Sequence, residues 1–198
     1  VKDEATLIRN LISNKVVLNG IDTSVFKYKN IYSSNLNKEL KLCTVGSVCE
    51  RKGQMRVVEA CLKLESFDKI TYYLIGGGDP EYINEIKNIS LNSSIVEVKY
   101  LGVISTNEIV DIYSKSHFMI LASIKEGFGM TTIESISCGT KAIVTKDNPL
   151  VEEGLLNNLN SILIENHTVK SIVCSLENIK INYDKKIVSQ TVSSLNWL

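Results

Sequence analysis

The sequence has only two histidines, His117 and His167, and no Cys-x-x-Cys or Cys/His spacing links its five cysteines, Cys43, Cys49, Cys61, Cys138 and Cys174. A histidine-rich or zinc-type metal site is therefore not expected, and candidates for a histidine base are few. An odd set of scattered cysteines reads as reduced thiols in a cytoplasmic protein. Charge excess is missing too: Lys plus Arg number 22 and Asp plus Glu number 22. Nothing global would neutralise a nucleic-acid backbone or hold the chain to anionic lipid, so balanced charge points to a small ligand at a local site. No apolar run approaches the roughly 20 residues that cross a bilayer. A signal-peptide core, an internal repeat and a Gly/Ser linker are also absent from the sequence. The chain opens at Val1 within a helical pattern, as expected of a piece of a longer chain.

What is present is one core's worth of apolar residues, 44% of 198, arranged in a regular alternation. Residues 2–13 carry helical spacing, and the apolar run 16–18 stops at Asn19-Gly20. This suggests a lead-in from a preceding domain over 1–18 and one domain over 19–198. Strand-length apolar runs follow at 41–46, 70–75, 94–99, 117–122 and 140–145, with a weaker one at 161–164. Helical spacing is expected at 54–65, 80–90, 106–115, 130–138, 167–178 and 184–196. Strand–helix alternation of this kind predicts an α/β fold: a Rossmann-like open parallel sheet with helices on both faces. Local signals agree. Asp79-Pro80 supplies a cap and a first-turn proline, Ser105 and Glu108 have capping-box spacing, and Gly139 suits a left-handed helix end.

Open α/β sheets bind ligands at the carboxyl ends of their strands. Three loops there are unusual: Gly46 through Gly53, the triplet Gly76-Gly77-Gly78, and Lys125 through Gly129. The triplet is not the G-x-G-x-x-G dinucleotide motif, because Glu81 stands where its last glycine belongs, and Lys52-Gly53 reverses the order of a P-loop. A tight turn and a backbone that lets a nucleobase approach are both open readings of the triplet. The most informative stretch is Glu126-Gly127-Phe128-Gly129-Met130-Thr131-Thr132-Ile133-Glu134. Its glycines clear side chains from a helix N-terminus, where free amides and the helix dipole favour an anion. The two flanking carboxylates suit vicinal hydroxyls of a sugar and a ribose.

This stretch resembles the E-x7-E hallmark of family 4 glycosyltransferases of the GT-B fold. Further segments are similar in the same order: Asn19-Gly20-Ile21-Asp22, Val45-Gly46-Ser47 with Lys52-Gly53, and Leu74-Ile75-Gly76-Gly77-Gly78. Tyr100-Leu101-Gly102-Val103 with Glu108, Ile109 and Tyr113, and then Ile120-Leu121-Ala122-Ser123, continue the series. The resemblance implies the C-terminal, donor-binding half of a GT-B enzyme that transfers a hexose-type unit, with retention, from a nucleoside diphosphate sugar of UDP or GDP type. No metal and no further cofactor are implied.

By the same resemblance, Glu126 would hold donor-sugar hydroxyls, Glu134 the ribose, and Lys52 the diphosphate. Glu126 and Lys52 are thus the implied catalytic pair. The amides of Phe128, Gly129 and Met130, after Gly127, would lie along the diphosphate and sugar. Gly46, Ser47, Arg51, Gly76 and Gly77 would flank the donor, and Val103 and Ile104 the base. Ser47 departs from the family, which often has arginine there; Arg51 lies nearby but would reach differently. His117 stands where the family usually has aspartate and reads as structural. Residues 147–150 follow the family text only loosely. The acceptor-binding N-terminal domain is implied as a missing partner, through which peripheral membrane association is conceivable, and the chain alone is expected to be inactive. A non-catalytic nucleotide-sugar-binding module and a sugar-nucleotide epimerase are the competing readings.

Overall fold

The computed structural model describes residues 19–29 and 38–195. The expected helix at 2–13 and apolar run at 16–18 lie outside the described residues. Six strands form one sheet: β1 (Glu39–Val45), β2 (Lys69–Ile75), β3 (Val96–Gly102), β4 (Phe118–Leu121), β5 (Lys141–Thr145) and β6 (Ser161–Ile164). Every pairing is parallel, in the order β3-β2-β1-β4-β5-β6. The helices are α1 (Gln54–Cys61), α2 (Pro80–Ser90), α3 (Thr106–Lys115), α4 (Met130–Ser137), α5 (Pro149–Glu152), α6 (Val169–Glu177) and α7 (Lys185–Gln190).

Successive strand residues face opposite sides, and both sides are covered, which explains why the strands read as continuous apolar runs. Leu40 and Leu42 of β1 face a core with Val57 and Val58 of α1, Ile83 and Ile86 of α2, and Ile172 and Leu176 of α6. Cys43 and Val45 face the other core, with Val110 and Tyr113 of α3, Ile133 and Ile136 of α4, and Val188 of α7. The expected Rossmann-like sheet with helices on both faces is thus the observed fold.

The caps form as the sequence signals. Asp79 Oδ1 accepts from Glu81 N–H at 2.9 Å, Ser105 and Glu108 complete a capping box, and Gly139 takes φ 84° after α4. Boundaries shift by one or more residues at most elements, and four of the shifts have a clear local cause. β3 starts at Val96, not 94, because Ser93 Oγ accepts from the amides of Ile95 and Val96 and holds a turn there. α1 stops at Cys61, short of 65, so that Leu64 and Phe67 drop into the core before β2. The helix expected at 184–196 ends at Gln190, and a 3-10 turn, Ser193–Leu195, follows; its Leu195 carbonyl accepts from Ile21 N–H at 2.8 Å. α6 begins at Val169 because Thr168 caps it, its hydroxyl accepting from Ser171 N–H. α5 was not expected; with four residues it is too short to show helical periodicity.

The glycine triplet belongs mainly to the fold. Gly46 N–H donates to Ile75 O and Val48 N–H to Gly77 O, each at 2.9 Å, so the loops after β1 and β2 run backbone to backbone. A Cβ on Gly76 would lie 2.1 Å from Gly46 O, and one on Gly78 2.1 Å from Val48 O. On Gly77 the nearest atom would be Val103 Cγ2 at 3.7 Å, an ordinary contact. Of the three, only Gly77 is free to face a ligand. Gly76→Ala and Gly78→Ala should each cost about 2–4 kcal/mol in urea unfolding, whereas Gly77→Ala should cost under about 1 kcal/mol. Equal losses at all three positions would contradict this division.

Candidate functional site

From β1 the chain runs out through β2 to β3 and then returns to place β4 on the other side of β1. The loops leaving β1 and β4 therefore part in opposite directions, and the crevice between them is the topological switch point. Its walls are tied together through backbone carbonyls. Ile124 N–H donates to Arg51 O at 2.9 Å, Arg56 Nη2 donates to Ala122 O at 3.0 Å, and the Arg51 guanidinium donates to Lys125 O. Gly53, at φ 76°, makes the approach possible: a Cβ there would lie 2.3 Å from Ala122 O. Within the first loop the fully buried Gln54 donates to Ser47 O at 2.8 Å and accepts from Cys49 N–H at 3.3 Å. Nothing in the pattern of apolar residues marks Gln54 for this role, since it sits where a helix simply begins.

Across the crevice, Lys52 Nζ meets Glu126 Oε1 at 2.6 Å, with side chains only 13% and 9% exposed. Sheltering from water makes this pair stronger than a surface ion pair and also makes loss of either partner costly. Gly46 lies alongside; a Cβ on it would be 3.9 Å from Lys52 Nζ. Beyond Glu126 the chain turns through Gly127, whose absent Cβ would meet nothing within 4 Å, to Gly129, which starts α4 at φ 83° with no side-chain cap. The first amides of α4, beginning at Met130, are thus left for another acceptor.

Glu134 lies one turn further along α4 and is half-buried. Its Oε2 accepts from the Tyr113 hydroxyl at 3.3 Å, and that hydroxyl also reaches Thr131 O at 3.2 Å. Burial pushes the Glu134 carboxyl above its ordinary value, and the Tyr113 hydrogen bond partly opposes the shift. Glu134 bonds Tyr113 rather than either member of the Lys52–Glu126 pair.

The other expected site residues divide into two groups. Gly77 and Val103 are exposed neighbours, Val103 at 83%, so Val103 is not the core residue that an apolar pair after a strand suggests. Ile104 and Phe128 are partly buried against the second core. Ser47 is exposed, with its carbonyl held by Gln54, and Arg51 is turned to Lys125. Gly76 is occupied by the loop stack. His117 is structural, as its sequence context suggests: its Nδ1 accepts from Lys41 N–H at 3.0 Å, and burial pushes its pKa down to about 4. Among the described residues no group of three or more His, Cys, Asp or Glu is placed to hold a metal ion, and no helix is long and apolar enough to cross a membrane.

A parallel sheet ordered about a switch point, with a cation, a carboxylate and an uncapped helix end meeting there, offers an anion a place at the carboxyl end of the sheet. The family profile for glycosyl transferases group 1 matches residues 27–187, and the chain belongs to that family. The α-monoglucosyldiacylglycerol synthase of Streptococcus pneumoniae is 29% identical over 175 residues, which cover 78% of this chain and 38% of that protein. Among solved structures, sucrose-phosphate synthase from Thermosynechococcus elongatus superposes with a TM-score of 0.74 at 20% identity, covering 99% of this chain and 53% of that one. Anabaena HepE in complex with UDP and glucose gives a TM-score of 0.68 at 19% identity, covering 91% and 52%. These neighbours are GT-B glycosyltransferases, and the fold is that of one Rossmann-like half. The chain spans under half the length of the curated relatives first matched, 39%, 38% and 48%.

The Tyr113–Glu134 bond has a measurable consequence. A hydrogen bond to the ionised carboxylate favours ionisation, so Tyr113→Phe should move the Glu134 titration to higher pH in a carboxyl NMR experiment. An unchanged or lower midpoint would show that the bond does not hold the ionised form.

Proposed function

We propose that the crevice between the β1–α1 and β4–α4 loops binds a nucleoside diphosphate sugar, of UDP or GDP type, and that the domain is the donor half of a retaining glycosyltransferase. The observation that carries this reading is the sheltered Lys52–Glu126 pair beside the uncapped start of α4. In the ligand-free chain each charge is the other's counter-ion. A diphosphate replaces Glu126 as the partner of Lys52 while its oxygens accept from the amides at Gly129 and Met130. Glu126, released, accepts from hydroxyls of the sugar, and Glu134 accepts from the ribose. The base lies against Gly77, Val103 and Ile104.

As the bond from the anomeric carbon to the diphosphate breaks, charge grows on the leaving oxygen, where Lys52 and the helix end stabilise it without a divalent ion. Ser47 offers no charge, and Arg51 can contribute only by releasing Lys125 O, so Lys52 carries the larger share. The UDP-and-glucose complex of the Anabaena neighbour and the sugar-transferring activity named for the Streptococcus relative support this reading. The acceptor hydroxyl is bound by a second, acceptor-binding half outside the described residues; that the chain matches under half the length of its curated relatives is consistent with such a half. Reaction then depends on closing two halves, since orientation of reactants is worth roughly 7–11 kcal/mol of the barrier. The donor half by itself is inactive, works in the cytoplasm, and reaches any membrane only through its partner half.

Calorimetric titration of UDP and GDP in excess EDTA tests the reading. One of them should bind without metal, and Lys52→Gln and Glu134→Ala should each weaken it about ten-fold or more. Glu126→Gln should instead tighten the bare diphosphate, because it frees Lys52 from its competitor. Binding that vanishes on chelation and returns with magnesium, or variants that bind as the parent does, would refute it.

A further inference from the structure

Two buried polar groups converge on Gly129, and the reading above leaves both unused. Asn148 is 2% exposed and Thr132 fully buried, yet Asn148 Nδ2 and Thr132 Oγ1 have no hydrogen-bond partner among the described residues. The orientation of the Asn148 amide is set by its other end: Oδ1 accepts from Leu150 N–H at 3.0 Å and caps α5, so the NH2 points away from α5. It points at Gly129. The Cβ that Gly129 lacks would lie 3.7 Å from Asn148 Nδ2, 3.6 Å from Thr132 Oγ1 and 3.5 Å from Leu150 Cδ1. One point beside the start of α4 is therefore faced by an amide donor, a hydroxyl and an apolar wall. A third buried hydroxyl, Ser123 Oγ at the end of β4, is also unpartnered, and the Ser123 carbonyl accepts from Thr145 Oγ1 at 3.3 Å. That bond ties the β4 loop to the β5 loop that carries Asn148.

Buried polar groups are nearly always paired, and those that are not mark places where something else completes them. Asn148 Nδ2 can only donate, and Thr132 Oγ1 can donate or accept, so the complement is an oxygen that accepts. The neighbouring amides of α4 ask for the same kind of atom. We infer that Asn148 and Thr132 form a further donor-binding pair that grips one acceptor oxygen of the nucleotide sugar beside Gly129. This rests on the donor-site reading above. Both atoms are sealed in the ligand-free chain, and the oxygen reaches them as the Gly127–Gly129 turn yields. Glycines on both sides of Phe128, and open space around Gly127, allow that turn to move. The oxygen comes either from the diphosphate or from a hydroxyl of the transferred sugar.

The test titrates UDP, GDP, UDP-glucose and GDP-mannose against the parent, Asn148→Asp and Thr132→Val. Asn148→Asp keeps the cap on Leu150 N–H but exchanges the free donor for an acceptor; Thr132→Val removes the hydroxyl at nearly constant volume. Thr132→Val should melt within a few degrees of the parent, Asn148→Asp lower because it buries a carboxylate oxygen without a partner, and each, at a temperature where it is folded, should bind about ten-fold more weakly, or about 1.4 kcal/mol. A loss shared by the bare diphosphate and the sugar nucleotide assigns a phosphate oxygen. A loss confined to the sugar nucleotide assigns a sugar hydroxyl. Folded variants that bind every probe as the parent does would overturn the inference and leave the donor site standing. A parent that binds none of the four would overturn both.

Discussion

The close approach of two backbones at Gly53 and Ala122 governs everything at the carboxyl end of the sheet. With a side chain at position 53 the β1–α1 loop could not lie against the end of β4, since the added carbon would meet Ala122 O at 2.3 Å. Because the loops do touch, Ile124 N–H can donate to Arg51 O, and Lys52 is carried to Glu126, 74 residues away in sequence. The same economy appears one strand over, where Gly76 and Gly78 let the β2 loop stack on the β1 loop. A sheet that buries both faces supplies the rigidity; glycine at a few close approaches decides where charged side chains can meet.

Electrostatically, the crevice is balanced in the absence of ligand. Lys52 and Glu126 are both largely shielded from water, so neither could stand there alone. On the proposed reading, an anion that displaces Glu126 meets a cation already largely shielded from water and a helix end whose amides no side chain has taken. Glu134 sits apart, its carboxyl raised by burial and steadied by Tyr113 from α3. Two carboxylates close in sequence are consequently placed in different surroundings: one against a lysine ammonium, one against a tyrosine hydroxyl.

Much of the fold was legible in the sequence because its causes are local. Apolar runs bounded by Asp79-Pro80, by Ser105 with Glu108 and by Gly139 mark strands and helices through chemistry that acts within a few residues. The strand order is not local, and with it goes the meeting of Lys52 with Glu126; the resemblance to a family implied one site for both but no contact between them. Side-chain commitments were equally hidden. Arg51 reads as a cation near the donor but is bonded to Lys125 O, Gln54 reads as the start of a helix but anchors a loop, and the triplet at 76–78, open in sequence between a tight turn and a ligand loop, is mainly packing. Asn148 was legible only as part of a poorly matching stretch. Its significance lies in which of its two amide atoms is satisfied, and that depends on α5, an element too short for periodicity to reveal.

Mapping amide shifts of the 15N-labelled chain during titration with UDP and with GDP tests the central claim most directly. The account predicts that one of the two moves the amides of 46–53, of Gly76 and Gly77 and of 127–130, and leaves those of Lys41, Ser116 and Lys185 in place. Shifts gathered at Lys41, Ser116 and Lys185, with the crevice between β1 and β4 silent, would contradict it.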